Sequence, residues 1–281
     1  MTTAERTRIF TRLEVADALR SRWLGFACAL YAVVFGAFIW LGLRESSVLG
    51  FTGLSRVVLN VANAVVVTVP LVALVATSQA IVRARSTGLF ELLLAQPARR
   101  GEWFRGLVLS RLVVLLGPLL LLLALAGVIG LGLDPSDSTL LPIILNSIAI
   151  VGALQFAFIG IGLYLSSLAR TPERAIVYAL IAWMLSTALH DFALIGALLQ
   201  LRVEPKVVFA LAALNPVEAA RIAVLSSVVP ELSVLGPVGF WIANQLGPAR
   251  ALWAGIAWPL LLGAVTLWLA QRRLQRSDLV G

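Results

Sequence analysis

The residues able to carry chemistry in this 281-residue chain are few, and their spacing excludes more than it offers. The only lysine, Lys206, follows Pro205, so no Gly-Lys-Ser/Thr loop is present to cradle a nucleotide's phosphates. The only histidine is His190 and the only cysteine is Cys28, so neither His-Glu-x-x-His nor Cys-x-x-Cys spacing occurs. A zinc hydrolase or thiol redox enzyme needs such clusters and is excluded. Copper favours Cys, Met and His ligands; the chain offers Cys28, Met1, Met184 and His190 in all. No metal site and no cofactor is expected in this chain. No series of carboxylates runs through its apolar stretches to relay protons. If the protein moves anything uphill, the energy arrives from another polypeptide.

The elements that hold these residues follow from composition. The chain is 60% hydrophobic and 13% charged, against about 25% charged in a soluble domain. A bilayer accommodates that surface and water does not. The net charge of +8 lies in short clusters between apolar runs, which fits anionic lipid headgroups rather than nucleic acid. Six runs are long enough to span the membrane: Trp23–Leu43, Val57–Val82, Leu107–Leu133, Leu140–Leu168, Ala175–Leu201 and Ala251–Gln271. Pro70, Pro118 and Pro259 fall inside three of them and are expected to kink rather than end the helix. With the amino terminus in the cytoplasm, sixteen of the 22 basic residues lie inside and six outside. Both termini are therefore expected to be cytoplasmic, with the protein in the bacterial inner membrane.

Three pieces lie outside the spans. Residues 1–22 place Ile9, Phe10, Leu13, Ala16 and Leu19 at helical spacing among arginines, an amphipathic helix lying in the inner leaflet ahead of the six-span domain at 23–281. Glu5, Glu14 and Asp17 argue against a cleavable signal there. The loop 83–105 carries Leu89, Leu92 and Leu93 at helical spacing, with Pro97 ending that helix and Arg99 and Arg100 following. A helix that short needs a groove on a partner or the membrane surface to rest on. The external segment 202–250 is too apolar for a disordered loop. Within it, Asn215 and Pro216 open a helix, with Glu218 at the capping-box position and Arg221 three residues on. That helix should stop before Pro230, and Phe240 and Trp241 place the segment on or into the outer interface.

The stretch Thr87–Arg100, with its Glu-Leu-Leu-Leu-x-x-Pro-x-x-Arg core, resembles the coupling loop of type-2 ABC exporter permeases. Arg12–Trp23 resembles that family's interfacial elbow helix, and the six-span layout matches nearly throughout. Arg83 and Arg85 stand where the family usually has acidic residues, and Arg105-Gly106 where it has Gly-Lys, which leaves the register of the ATPase contacts open. Phe51-Thr-Gly, Asp191 and Leu214-Asn-Pro-x-Glu-x-x-Arg221 occur in the order of one subgroup. That subgroup contains the membrane subunit of the transporter serving nitrous oxide reductase maturation.

The resemblance implies an all-α permease working as a homodimer. A cytoplasmic ATPase dimer would supply ATP and Mg, and a periplasmic copper-handling protein would sit on the outer face. It assigns ATPase coupling to Leu89, Glu91, Leu92, Leu93, Pro97, Arg99 and Arg100, and an external platform to Asn215, Pro216, Glu218 and Arg221. His190 and Asp191 either line a cavity between the two copies or form an interfacial polar pair. Arg111, a turn into the third span, is expected to snorkel to the inner surface. Asn60, Asn63, Asn146 and Gln155 read as hydrogen bonds between helices. Two other functions fit the same chain: a general exporter for a drug, peptide or lipid-linked substrate, and a membrane scaffold that never binds an ATPase.

Overall fold

The computed structural model describes residues 2–49, 54–94, 99–133, 140–190, 192, 196, 205–228 and 244–276. Every regular element among them is helical: α1 Thr3–Arg20, α2 Arg22–Leu49, α3 Leu54–Thr77, α4 Ala80–Ser86, α5 Leu89–Leu94 and α6 Arg100–Leu133, then α7 Leu140–Leu168 and α8 Pro172–Met184. A π-helical turn, Leu185–Leu189, follows α8, and α9 Pro205–Leu214, α10 Pro216–Val228 and α11 Pro248–Arg276 complete the set.

Among the described residues, four stretches are long and apolar enough to cross a membrane: Ala64–Ser86, Arg100–Leu125, Leu141–Leu168 and Pro248–Arg276. A fifth joins if α1 and the first part of α2, bent by 66°, count together. Helices α3, α6 and α11 run through Pro70, Pro118 and Pro259 without ending, as expected. The span expected over Ala175–Leu201 begins as α8 and passes through the π turn to His190. Most of its remainder, Asp191 included, lies outside the described residues, as do Phe51-Thr-Gly, Pro97, Pro230, Phe240 and Trp241.

Helix α7 is the axis of the bundle and packs against α3, α6, α10 and α11. Small residues permit the closest approaches. A Cβ on Gly160 would meet the Thr266 hydroxyl and, at 2.7 Å, the Gly263 carbonyl of α11. Lipid tails are as apolar as leucine, so helices in a bilayer gain by approaching until backbones touch, which small residues allow.

The segment expected to lie on or dip into the outer interface contributes one helix, α10, to the bundle itself. Val217, Ala220, Ala223 and Val224 of α10 are buried, as are Ala219 and Ile222 on its other sides. α10 inserts against α11, α7 and α3. The physical reason is that it is rich in alanine and mostly apolar, with its one charged pair, Glu218 and Arg221, satisfied on the helix itself.

Candidate functional site

Two breaks in the chain create the loop between α3 and α6. Helix α3 stops at Thr77, and α4 starts at Ala80 with the Ile81 and Val82 amides donating to Ser166 Oγ of α7 at 3.0 and 3.1 Å. Ser166 thus satisfies two first-turn donors that α4 itself cannot. Thr87 then caps α4, and Gly88 adopts φ +71°. That left-handed conformation costs glycine nothing and most residues a great deal, so it turns the chain sharply into α5.

The sequence expectation was that leucines define α5, and the structure gives the anchoring role to a phenylalanine. Phe90 is 2% exposed and packs edge-on against Trp103 of α6, ring centroids 5.0 Å apart at 81°. Leu89 is half-buried, whereas Glu91 and Leu92 are exposed, Leu92 by 66%. The Leu93 side chain lies outside the described residues. Arg99 is exposed, and its amide donates to Glu102 Oε2 at 3.1 Å. Arg100 turns toward α11, where Nη1 donates to the Leu274 carbonyl at 3.3 Å.

Trp103 continues the connection. Its indole N–H donates to Glu14 Oε1 of α1 at 3.0 Å, and Glu14 Oε2 lies 3.6 Å from Arg111 Nη2. The Arg111 guanidinium also sits 5.4 Å from the centre of the Trp23 ring. Arg6 approaches Glu102 at 3.7 Å along the same seam. Arg111 therefore does not snorkel: it is 6% exposed, because α1 lies across α6 and presents a carboxylate at the same depth. Burial pushes the Glu14 carboxyl above its ordinary range, against the opposing pull of Arg111 and Trp103. Gly106 sets the spacing, since a Cβ there would stand 2.6 Å from Phe10 Cβ and 3.0 Å from the Thr11 amide. Ile9, Leu13 and Leu19 lie exposed on the side of α1 away from α6.

This chain of contacts, Phe90 to Trp103 to Glu14 to Arg111, was not legible as a unit. Glu14 and Arg111 are single charges 97 positions apart, and Trp103 reads as one more apolar residue.

At the far end of α8, Asn215 joins two elements. Its Oδ1 accepts from the Val217 amide at 3.0 Å, the expected helix cap. Its Nδ2 donates at 2.6 Å to the Ser186 carbonyl inside the π turn, a link that spacing does not reveal. Glu218 pairs with Arg221 at 2.6 Å, and the Asn215 amide donates to Ala212 O. Asn215, Pro216 and Glu218 are buried and Arg221 half-buried, so these residues brace α10 within the bundle. His190, half-buried, ends the π turn. Replacing Asn215 by alanine is expected to cost about 1–2 kcal/mol, as loss of a cap does, and more through the freed Ser186 carbonyl. Asn215→Ser keeps a capping oxygen and should recover about half, read from thermal unfolding in detergent.

Comparison with known proteins gives this architecture a family. The model for ABC-2 family transporter proteins matches residues 9–279. The chain belongs to the ABC-2 transporter family. It is 32% identical over 272 residues to a probable ABC transporter permease protein NosY of Pseudomonas aeruginosa, covering 90% of this chain and 94% of that one. A second protein of the same description, from Stutzerimonas stutzeri, is 29% identical over 257 residues, covering 86% and 89%. The resemblance read from the elbow, coupling-loop and Asn-Pro motifs agrees with both. The permease is thus a multi-pass membrane subunit, and α1 and α5 hold the positions in which the family resemblance places its elbow and coupling helices.

Proposed function

We propose that two copies of the permease, each with six spans and both termini cytoplasmic, sit on a cytoplasmic ABC ATPase dimer and convert its ATP-driven motion into movement of their outer ends. The observation that carries this reading is the way α5 is held. Phe90 locks it to Trp103, while Glu91 and Leu92 on the same short helix stay exposed. An exposed leucine and a carboxylate on an anchored helix make a docking surface that cannot be pushed without moving α6. Trp103 is bonded to Glu14, so a push on α5 also reaches the elbow. ATP and Mg belong to the partner ATPase in this scheme.

The Asn-Pro motif and the NosY-named relatives support a role in nitrous oxide reductase maturation, with a periplasmic copper-handling protein on the outer face. Cys28, Met1, Met184 and His190 are too few for a copper path across the bilayer. The permease therefore transmits motion to that outer partner or moves a non-metal species.

Co-purification with the neighbouring ATPase and outer-face protein tests the scheme. Wild-type permease should retain both, and Glu91→Arg or Leu92→Asp should lose most of the ATPase while keeping its own melting temperature. Retention of the ATPase without the outer partner would identify a general exporter of drugs, peptides or lipid-linked substrates. Full retention of the ATPase by Leu92→Asp would remove α5 as the docking element.

A further inference from the structure

A cavity of about 460 Å³ lies where two chain breaks meet the side of α8: the bend at Ser21 between α1 and α2, and the interruption at Ser78–Gln79 between α3 and α4. That volume is in the range of small-molecule sites. One wall is basic, with Arg20, Arg22 and Arg83 facing a single lining carboxylate, Asp17. Glu173, on the first turn of α8, also feels Arg83. Three guanidinium groups against one lining carboxylate leave the wall net positive, a surplus that a phosphodiester can offset. The other wall is apolar, formed by Leu71, Val75, Ile176 and Leu180.

Ser78 supplies a second, independent observation. It lines the cavity, is fully buried, and its Oγ has no hydrogen-bond partner in the structure. Buried hydroxyls are nearly always bonded, so an orphaned one beside a cavity points to an absent acceptor or donor. Its own amide is already used, donating to Leu74 O at 2.8 Å.

We infer that this cavity holds one anionic glycerophospholipid of the inner leaflet, its phosphodiester among Arg20, Arg22 and Arg83 and bonded by Ser78, and an acyl chain along the apolar wall. A free phosphate shares the headgroup chemistry and has no use for that wall. Basic pockets between membrane helices on the cytoplasmic side select anionic headgroups in this way. The bound lipid wedges the elbow bend against α3 and α8, and so sets the angle at which α1 lies on α6. The inference rests on the proposed cytoplasmic placement of the elbow.

Native mass spectrometry of the full chain released from nanodiscs of equal parts phosphatidylglycerol and phosphatidylcholine tests this without any ATPase. Its outcome is therefore separate from that of the co-purification. Wild type should retain one phosphatidylglycerol in preference to phosphatidylcholine. Arg20→Gln with Arg83→Gln should weaken retention about fivefold per arginine lost, and Ser78→Val, which leaves the charges intact, should weaken it several-fold. Arg276→Gln, at the opposite basic end of α11, should change nothing. Equal retention of the two lipids, or unchanged retention by both cavity variants, overturns the inference. Displacement of the lipid by millimolar inorganic phosphate also overturns it, in favour of a free-anion site.

Discussion

Glu14→Lys is expected to destabilise the permease by about 3–5 kcal/mol, the range for leaving a buried ion uncompensated. Three effects act in the same direction. The carboxylate partner of Arg111 disappears, although that guanidinium is 6% exposed and its Nε and Nη1 have no other hydrogen-bond partner in the structure. A second cation takes its place at a separation near the present 3.6 Å. Two like charges about 4 Å apart repel by roughly 4 kcal/mol at the effective dielectric of a protein surface. Finally, the Trp103 indole loses its acceptor, and an ammonium cannot replace it. Thermal unfolding followed by tryptophan fluorescence measures the cost. The exchange Glu14→Lys with Arg111→Glu should restore more than half of it, because the pair is re-formed with its polarity reversed. A double-mutant cycle with no coupling between the two positions would falsify the pairing.

Function should fall further than stability does in Glu14→Lys, since the elbow is then no longer bonded to the tryptophan that holds the coupling helix. ATPase retention should persist, because Glu91 and Leu92 are untouched. ATP-dependent signals at the outer end should be lost. That split separates a relay residue from one that merely supports the fold.

The second large effect is expected at Gly255. A Cβ there would collide with the Ala219 carbonyl and with Ala223 Cβ of α10. The obstacle is backbone, which cannot rotate aside as a side-chain tip can, so α10 and α11 must separate. Overpacking of this kind costs about 1–3 kcal/mol, with Gly255→Ala toward the upper end and Gly255→Leu beyond it. Gly25 and Gly36 of α2 provide the contrast, since an added Cβ meets nothing within 4 Å at either. Alanine at those positions should be neutral or stabilising by up to about 1 kcal/mol, the ordinary helix-propensity gain. If Gly255→Ala melts like Gly25→Ala, α10 is not inserted against α11 as described.

Much of the architecture was readable because bilayer physics leaves few options. Apolar runs of fixed length must be helices, so the end of the run at Leu168 coincides with the end of α7, and prolines within the runs did not interrupt them. Caps are local, so Asn215 and Pro216 announced the start of α10. A short helix does stand at Leu89–Leu94 as the spacing indicated, and its anchoring contact comes from a residue the spacing did not single out. Leucine spacing drew attention to Leu89, Leu92 and Leu93, whereas Phe90 makes the anchoring contact, and only the position of Trp103 on the next helix decides that.

The amino-acid sequence by itself therefore determined the membrane class, most of the helices, the absence of a nucleotide-binding loop and the family, because each rests on composition or short-range spacing. Tertiary structure alone decided that Glu14 meets Arg111, that α10 packs against α11, α7 and α3, and that two chain breaks and the side of α8 enclose a basic cavity. Those are contacts between residues far apart in the chain. In a helix bundle, which side chains meet depends on how closely two backbones approach and at what rotation. Glycines such as Gly106, Gly160 and Gly255 set that approach, and their role shows only once the neighbouring helix is in view.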